Sequence, residues 1–170
     1  MFALPLATLS LVLSAQAPDD GRTVDTIVKA LYEVISGPAG DKRNWDRFRL
    51  LFTPESRMIA VNVNAKGEVR HQTLKPEDYV TRIGPLIERD GFFEKELSRK
   101  TEQFADIAHV FSTYETKRAL TDEKPLARGI NSSQLWNDGK RWWVLSVYWQ
   151  AESEGRKIPI KYLPDDAGGQ

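Results

Sequence analysis

Apolar positions fall at helical spacing near the start of the chain. Val24, Ile27, Val28, Leu31, Val34 and Ile35 recur through VDTIVKALYEVIS, with Thr23 in front as a cap. This predicts a helix over residues 24–36, ended by Gly37-Pro38. Asn44 caps a second, short helix, WDRFRLLF, in which Trp45, Phe48, Leu51 and Phe52 share a face. The pattern then changes to alternation. RMIAVNVN reads as a strand, Asn64 to Gly67 as a turn, and EVRHQTL as the return strand. Pro76 opens a third helix running to about Asp90, and Gly84-Pro85 inside it predicts a kink. FFEKELSRKTEQF, DIAHVFSTYETKR, RGINSSQLW and RWWVLSVYW follow as four long β-rich segments, before an irregular tail.

Helices first and long strands after predict an α+β domain, with the helices packed on a sheet whose strands run antiparallel. The last two segments hold Trp136, Trp142, Trp143 and Trp149, four of the five tryptophans. Asp138-Gly139 at the tip of a two-residue turn pairs Asn137 with Lys140 and Trp136 with Arg141. One face then carries Asn131, Ser133 and Leu135 beside Trp142, Val144, Ser146 and Tyr148. The other carries Ile130, Ser132, Gln134 and Trp136 beside Trp143, Leu145, Val147 and Trp149. A register slip of one residue would exchange the two faces. Neither face is polar, so both must be covered. The helices cover one, and the other predicts a homodimer through Trp136, Trp143, Leu145, Val147 and Trp149. The competing cover is the tail, with Ile158, Ile160, Tyr162 and Leu163.

The order of elements resembles the nuclear transport factor 2-like superfamily. The residues that carry the resemblance are VDTIVKALYEVISG, NWDRFRLLFTPESRMI, ADIAHVFSTYE, RGINSSQLW and DGKRWWVLSVYWQ, above all a last strand with a Trp just after a Gly-Lys/Arg turn. The resemblance implies a cone-shaped fold, with N-terminal helices packed on a curved antiparallel sheet. It assigns residues 18–152 to the domain and leaves 153–170 as the tail. The superfamily includes transport adaptors, ketosteroid isomerases, dehydratases, polyketide cyclases and small exported proteins, so it implies a fold and not an activity. A sheet curving around a cavity gives Asn131, Ser133, Trp142, Ser146 and Tyr148 a purpose. An apolar wall with a few convergent polar groups is what a small-molecule pocket needs, closed here by Phe48, Phe52, Tyr79 or Ile83 from the helices.

Residues 2–14 are uncharged and mostly apolar, and Ala15-Gln16-Ala17 follows. That resembles a secretory signal peptide spanning 1–17, so the chain is expected to be exported, periplasmic or secreted, with no stable membrane span after cleavage. Lys+Arg and Asp+Glu both number 24 and are interspersed, which argues against nucleic acid as a partner. Without cysteine there are no disulfides, thiol chemistry or thiolate-bound metals. Two histidines and no spaced carboxylate loop suggest no metal, and the absence of a glycine-rich phosphate loop suggests no cofactor.

His109 is the one histidine on a predicted central strand and the candidate base, although strand parity groups it with Ile107 and Phe111. His71 sits in an outer hairpin. Asp106, Glu94, Glu96 and Glu102 are acids in the region, with no motif to assign them. The reading these residues favour is a non-catalytic exported domain that binds a small apolar or aromatic ligand. The alternatives are a cofactor-free acid–base enzyme of the isomerase, dehydratase or cyclase type, and a dimeric interaction module. An enzyme needs an ionisable group buried in the cavity with a displaced pKa; a binder needs only shape and hydrogen bonds.

Overall fold

The computed structural model describes residues 19–165, so the leader reading at 1–17 lies outside it. Helix α1, Val24–Ile35, starts on a reciprocal cap between Thr23 and Thr26. Its apolar stripe, led by Ile27 and Val28, is buried. Helix α2, Trp45–Arg49, is capped by the Asn44 side chain. The expected kink is a full break. Helix α3, Pro76–Arg82, ends at Ile83, and α4, Gly84–Asp90, restarts there. Pro85 has no N–H to continue the ladder, and a Cβ at Gly84 would lie 2.9 Å from the Trp45 ring.

The strands are β1 (Phe52–Val63), β2 (Val69–Leu74), β3 (Phe93–Phe104), β4 (Ile107–Lys117), β5 (Ala127–Asn137) and β6 (Trp142–Ala151). They form one sheet in the order β2-β1-β6-β5-β4-β3. The sheet is mixed: β1 runs parallel to β6, where alternation alone suggested antiparallel pairing throughout. The first and last strands meet inside the sheet, and local pattern carries no information on that pairing. Ser56, buried in the irregular start of β1, donates its hydroxyl to the Val144 carbonyl at 2.5 Å and fixes the junction.

All four helices pack on one sheet face. The core of Ile27, Val28, Phe48, Leu51, Val110, Leu135 and Val144 lies between them. Arg43 is buried between α1 and α4. Its guanidinium donates to the backbone carbonyls of Ile35 (3.1 Å), Gly37 (2.6 Å), Asp41 (2.7 Å) and Ile87 (3.2 Å). Glu88 accepts from the Arg43 backbone N–H at 3.0 Å and from the Trp45 indole at 2.8 Å. These bonds satisfy a loop whose carbonyls would otherwise be stranded away from water, and they fix α2 over the sheet.

The β5–β6 hairpin corrects the expected register. The loop takes four residues, Asp138 to Arg141, and pairs Asn137 with Trp142 and Trp136 with Trp143. Asp138 accepts from the backbone N–H groups of Lys140 and Arg141, which holds the wider turn. A slip of two keeps the facing of every side chain. A bulge at Leu145 then does not, because one extra residue inverts all that follow. Past it, Ser133 pairs with Val147 and Asn131 with Trp149, while Gln134 pairs with Ser146 and Ser132 with Tyr148. The expected faces therefore hold on the turn side of the bulge and are exchanged beyond it.

Candidate functional site

Between the helices and the sheet lies a cavity of about 460 Å³, within the size range of small-molecule sites. Helix α1 contributes Val28, Leu31 and Tyr32. Phe48, Tyr79 and Ile83 come from the other helical segments, and the sheet supplies Met58, Val110, Val147 and Trp149. The walls form an aromatic cluster. Phe48 stacks on Tyr79 at 5.6 Å, Tyr79 meets Trp149 edge-on at 6.5 Å, and Phe52 backs Phe48 at 4.9 Å.

One end of this hydrophobic pocket is polar. Glu94, near the start of β3, points in beside Asn131 on β5, and the Asn131 amide donates to Glu94 Oε1 at 2.8 Å. The same nitrogen donates to Tyr32 Oη at 3.2 Å. The Tyr32 and Ser112 hydroxyls lie 2.7 Å apart, and Ser112 donates to Glu96 Oε1 at 2.5 Å. With its one proton committed to a carboxylate, Ser112 must accept from Tyr32. Glu96 is held in turn by Arg99 at 2.6 Å, and Arg99 reaches Asp25 on α1 at 2.8 Å. A bulge in β3 between Glu96 and Ser98 puts Glu96 and Arg99 within reach of each other. From Asn131 through Tyr32 and Ser112 the bonds thus run in one direction and end on Glu96, which also accepts from Arg99.

Burial disfavours the ionised form of Glu94 and pushes its carboxyl up to about 7; the Asn131 bond opposes this without cancelling it. The phenols of Tyr32, Tyr79 and Tyr114 are all raised, first by burial and then by the nearby Glu94 charge. Tyr79 and Tyr114 line the cavity, and among the described residues their hydroxyls have no hydrogen-bond partner. Among the described residues no lysine, arginine or histidine lines the cavity. Among the described residues no cluster of three metal-ligating side chains exists, and no helix is long and apolar enough to cross a membrane.

Of the residues expected around a ligand, Asn131, Ser133, Tyr79 and Phe48 line this cavity. Phe52 and Trp142 are buried in the core beside it. Ser146 and Tyr148 are on the opposite face, turned there by the bulge at Leu145. The same bulge corrects two residues expected at a dimer interface, since Val147 and Trp149 line the cavity. Trp136 and Leu145 are exposed on the outer face, 39% and 41%. Trp143 folds over the hairpin loop: its indole donates to Asp138 Oδ2 at 2.9 Å and carries the Arg141 guanidinium at 4.2 Å. The four tryptophans of the hairpin therefore have four different environments.

His109 also lies on the outer face, with Nε2 3.0 Å from the Ser132 hydroxyl and Nδ1 3.8 Å from Glu102, so the cavity chemistry excludes it. His71 is exposed on β2. The tail crosses this face only in part. Tyr162 packs on Phe111 at 4.9 Å and accepts, through its carbonyl, from Thr113. The residues that sequence reasoning left unassigned are Glu94, Tyr32, Ser112 and Tyr114. A signal existed for two of them. Tyr32 follows Val28 by four residues on the apolar stripe of α1, and Glu94 alternates with Phe92 on the inward side of β3.

Similar folds occur among solved structures. A protein of unknown function with a cystatin-like fold from Nostoc punctiforme superposes with a TM-score of 0.56 at 9% identity, over 82% of this chain and 98% of that one. A nuclear transport factor 2-like protein of unknown function from Silicibacter pomeroyi gives 0.50 at 11% identity, over 75% and 92%. The element order and sheet match the architecture of that nuclear transport factor 2-like protein and of these cystatin-like folds. A hexachlorocyclohexane dehydrochlorinase of Novosphingobium barchaimii superposes with a TM-score of 0.54 at 12% identity, over 75% of this chain and 82% of that one. No protein-family model matches the sequence, and neither does any curated protein.

Proposed function

We propose that this domain binds a compact, largely apolar small molecule in the cavity and meets it with one titratable carboxyl, Glu94. The observation that carries the reading is the convergence of Glu94 and Asn131 on a largely apolar space of about 460 Å³, whose other polar lining residues, such as Ser112, Ser133 and Gln72, are uncharged. A core that only satisfied itself would need no such space and would not keep an acid in it. The test is methyl-resolved NMR with 1-naphthol as a neutral probe. Binding in the cavity shifts the methyls of Val28, Val110 and Val147 together. Shifts scattered over the surface, or none at millimolar probe, would refute it.

A second reading, a cofactor-free acid–base enzyme, is favoured by one specific observation. A carboxyl near 7 is ionised in a useful fraction of molecules at neutral pH and is a far stronger base than an ordinary glutamate. In this reading Glu94 takes a proton from the ligand, and the unpartnered phenol of Tyr79 or Tyr114 donates to the oxygen on which charge develops. We also propose that the outer face, where Trp136, Leu145 and Tyr148 stay exposed, pairs with a second copy of the chain.

A further inference from the structure

We infer that the molecule the cavity takes is a cation, a small ammonium group on an apolar body. This deepens the small-molecule reading and rests on it. Among the described residues Glu94 is the one carboxylate lining the space, and no cationic side chain lines it to neutralise that charge. An anionic ligand would bring a second buried negative charge beside the first, at a cost that no hydrogen bond here offsets. A carboxylate offers about four acceptor sites. Asn131 fills one on Oε1, and among the described residues Oε2 accepts nothing. A neutral apolar guest would leave that oxygen unpaired.

The walls fit the same guest. Tyr79 and Trp149 both line the space and touch each other edge-on, at 83° with centroids 6.5 Å apart, so a guest in the cavity lies against two differently turned rings. Aromatic faces beside a single carboxylate attract an ammonium through the ring quadrupole, and most strongly when water is excluded. The groups facing Glu94 are Tyr32 from α1, Tyr79 from α3, Ser112 and Tyr114 from β4, and Asn131 from β5. All are neutral. Glu96, on the same strand, does not line the cavity and is paired with Arg99 at 2.6 Å. The negative charge of Glu94 is therefore left for the ligand.

The test compares phenyltrimethylammonium, whose charge is fixed at every pH, with its uncharged isostere tert-butylbenzene, using the full chain. At pH 8 the cation should bind at least about tenfold more tightly. That preference should shrink at pH 5.5, where Glu94 is protonated, and should vanish in Glu94→Gln. Calorimetry in buffers of different ionisation heat should show a proton released on cation binding near pH 7. If tert-butylbenzene binds as tightly as the cation at pH 8, or the preference survives Glu94→Gln, the inference is overturned and the small-molecule reading stands. If neither compound binds while 1-naphthol also fails, both fall together.

Discussion

The amide nitrogen of Asn131 lies 2.8 Å from the carboxylate of Glu94. Its other proton goes to Tyr32, whose own proton goes to Ser112, and so outward to Glu96. Because each donor is committed in turn, Asn131 cannot rotate its carbonyl toward Glu94 without breaking the series. The amide is thus a fixed donor to the ionised carboxyl. Replacing it, as in Asn131→Ala, should raise the Glu94 titration midpoint further, by about one pH unit, since a hydrogen bond to a charged group is lost. Side-chain carboxyl NMR would measure it. An unchanged or lowered midpoint would show that the bond does not tune the acid.

Glu94 also links stability to pH. Its folded-state pKa, about 7, stands above the ordinary glutamate value near 4.5, so the folded protein holds a proton that the unfolded chain releases. The stabilisation is complete below about 4.5 and is lost as pH rises through about 7. The full difference is at most about 3 kcal/mol, reduced by whatever water enters the cavity. Glu94→Gln removes the cost of ionisation. It should match the parent in urea unfolding at pH 4.5 and exceed its stability at pH 8 by about 1–3 kcal/mol. Equal stability at both pH values would place Glu94 in a well-solvated setting.

Gly129 makes room for a cavity residue. It pairs across the sheet with Tyr114, and a Cβ there would come within 2.5 Å of the Tyr114 phenol oxygen and would also collide with the Gln150 carbonyl. Backbone cannot yield as easily as a side chain. Gly129→Ala should therefore displace Tyr114 and lower stability by about 1–3 kcal/mol, as overpacking does. It should also shift the Val110 and Asn131 resonances. Tyr114→Phe, which only removes the hydroxyl, should relieve part of that loss. A Gly129→Ala variant as stable as the parent would contradict this packing.

The outer sheet face makes the oligomer prediction. Trp136→Glu combined with Leu145→Glu places charge on exposed positions without touching the core. Sedimentation at tens of micromolar should give a dimer for the parent chain and a monomer for the variant. A parent monomer would contradict the dimer and leave the tail, with Tyr162 on Phe111, as the cover of this face among the described residues.

Much of the fold was legible because its elements are written in local pattern. The stripe of α1, the Gly84-Pro85 break and the four long strands each follow from spacing or from proline chemistry. The parallel contact of β1 with β6 was not legible, because it joins residues nearly 90 positions apart, such as Met58 and Val147. The site was half legible. Asn131, Ser133, Tyr79 and Phe48 follow from the inward faces of strands and helices. Ser146, Tyr148, Val147 and Trp149 do not, because a single bulge at Leu145 reverses them and leaves no mark in the hydrophobic pattern. Glu94 was hidden by its neighbours. Among the charges of FFEKELSRK it reads as solvated surface; its alternation with Phe92 was the one faint sign, and the tertiary fold makes it a half-buried acid lining the cavity.

The central claim is that a single carboxyl titrates near neutrality inside this cavity. The direct measurement is a pH titration of the side-chain carboxyl carbons by NMR, with the Glu94 signal assigned from its absence in Glu94→Gln. A Glu94 midpoint near 7, moving the Asn131 amide and the Tyr32 ring signals with it, is the predicted result. A midpoint in the ordinary glutamate range would mean that water reaches the carboxyl freely, and it would contradict the site as described.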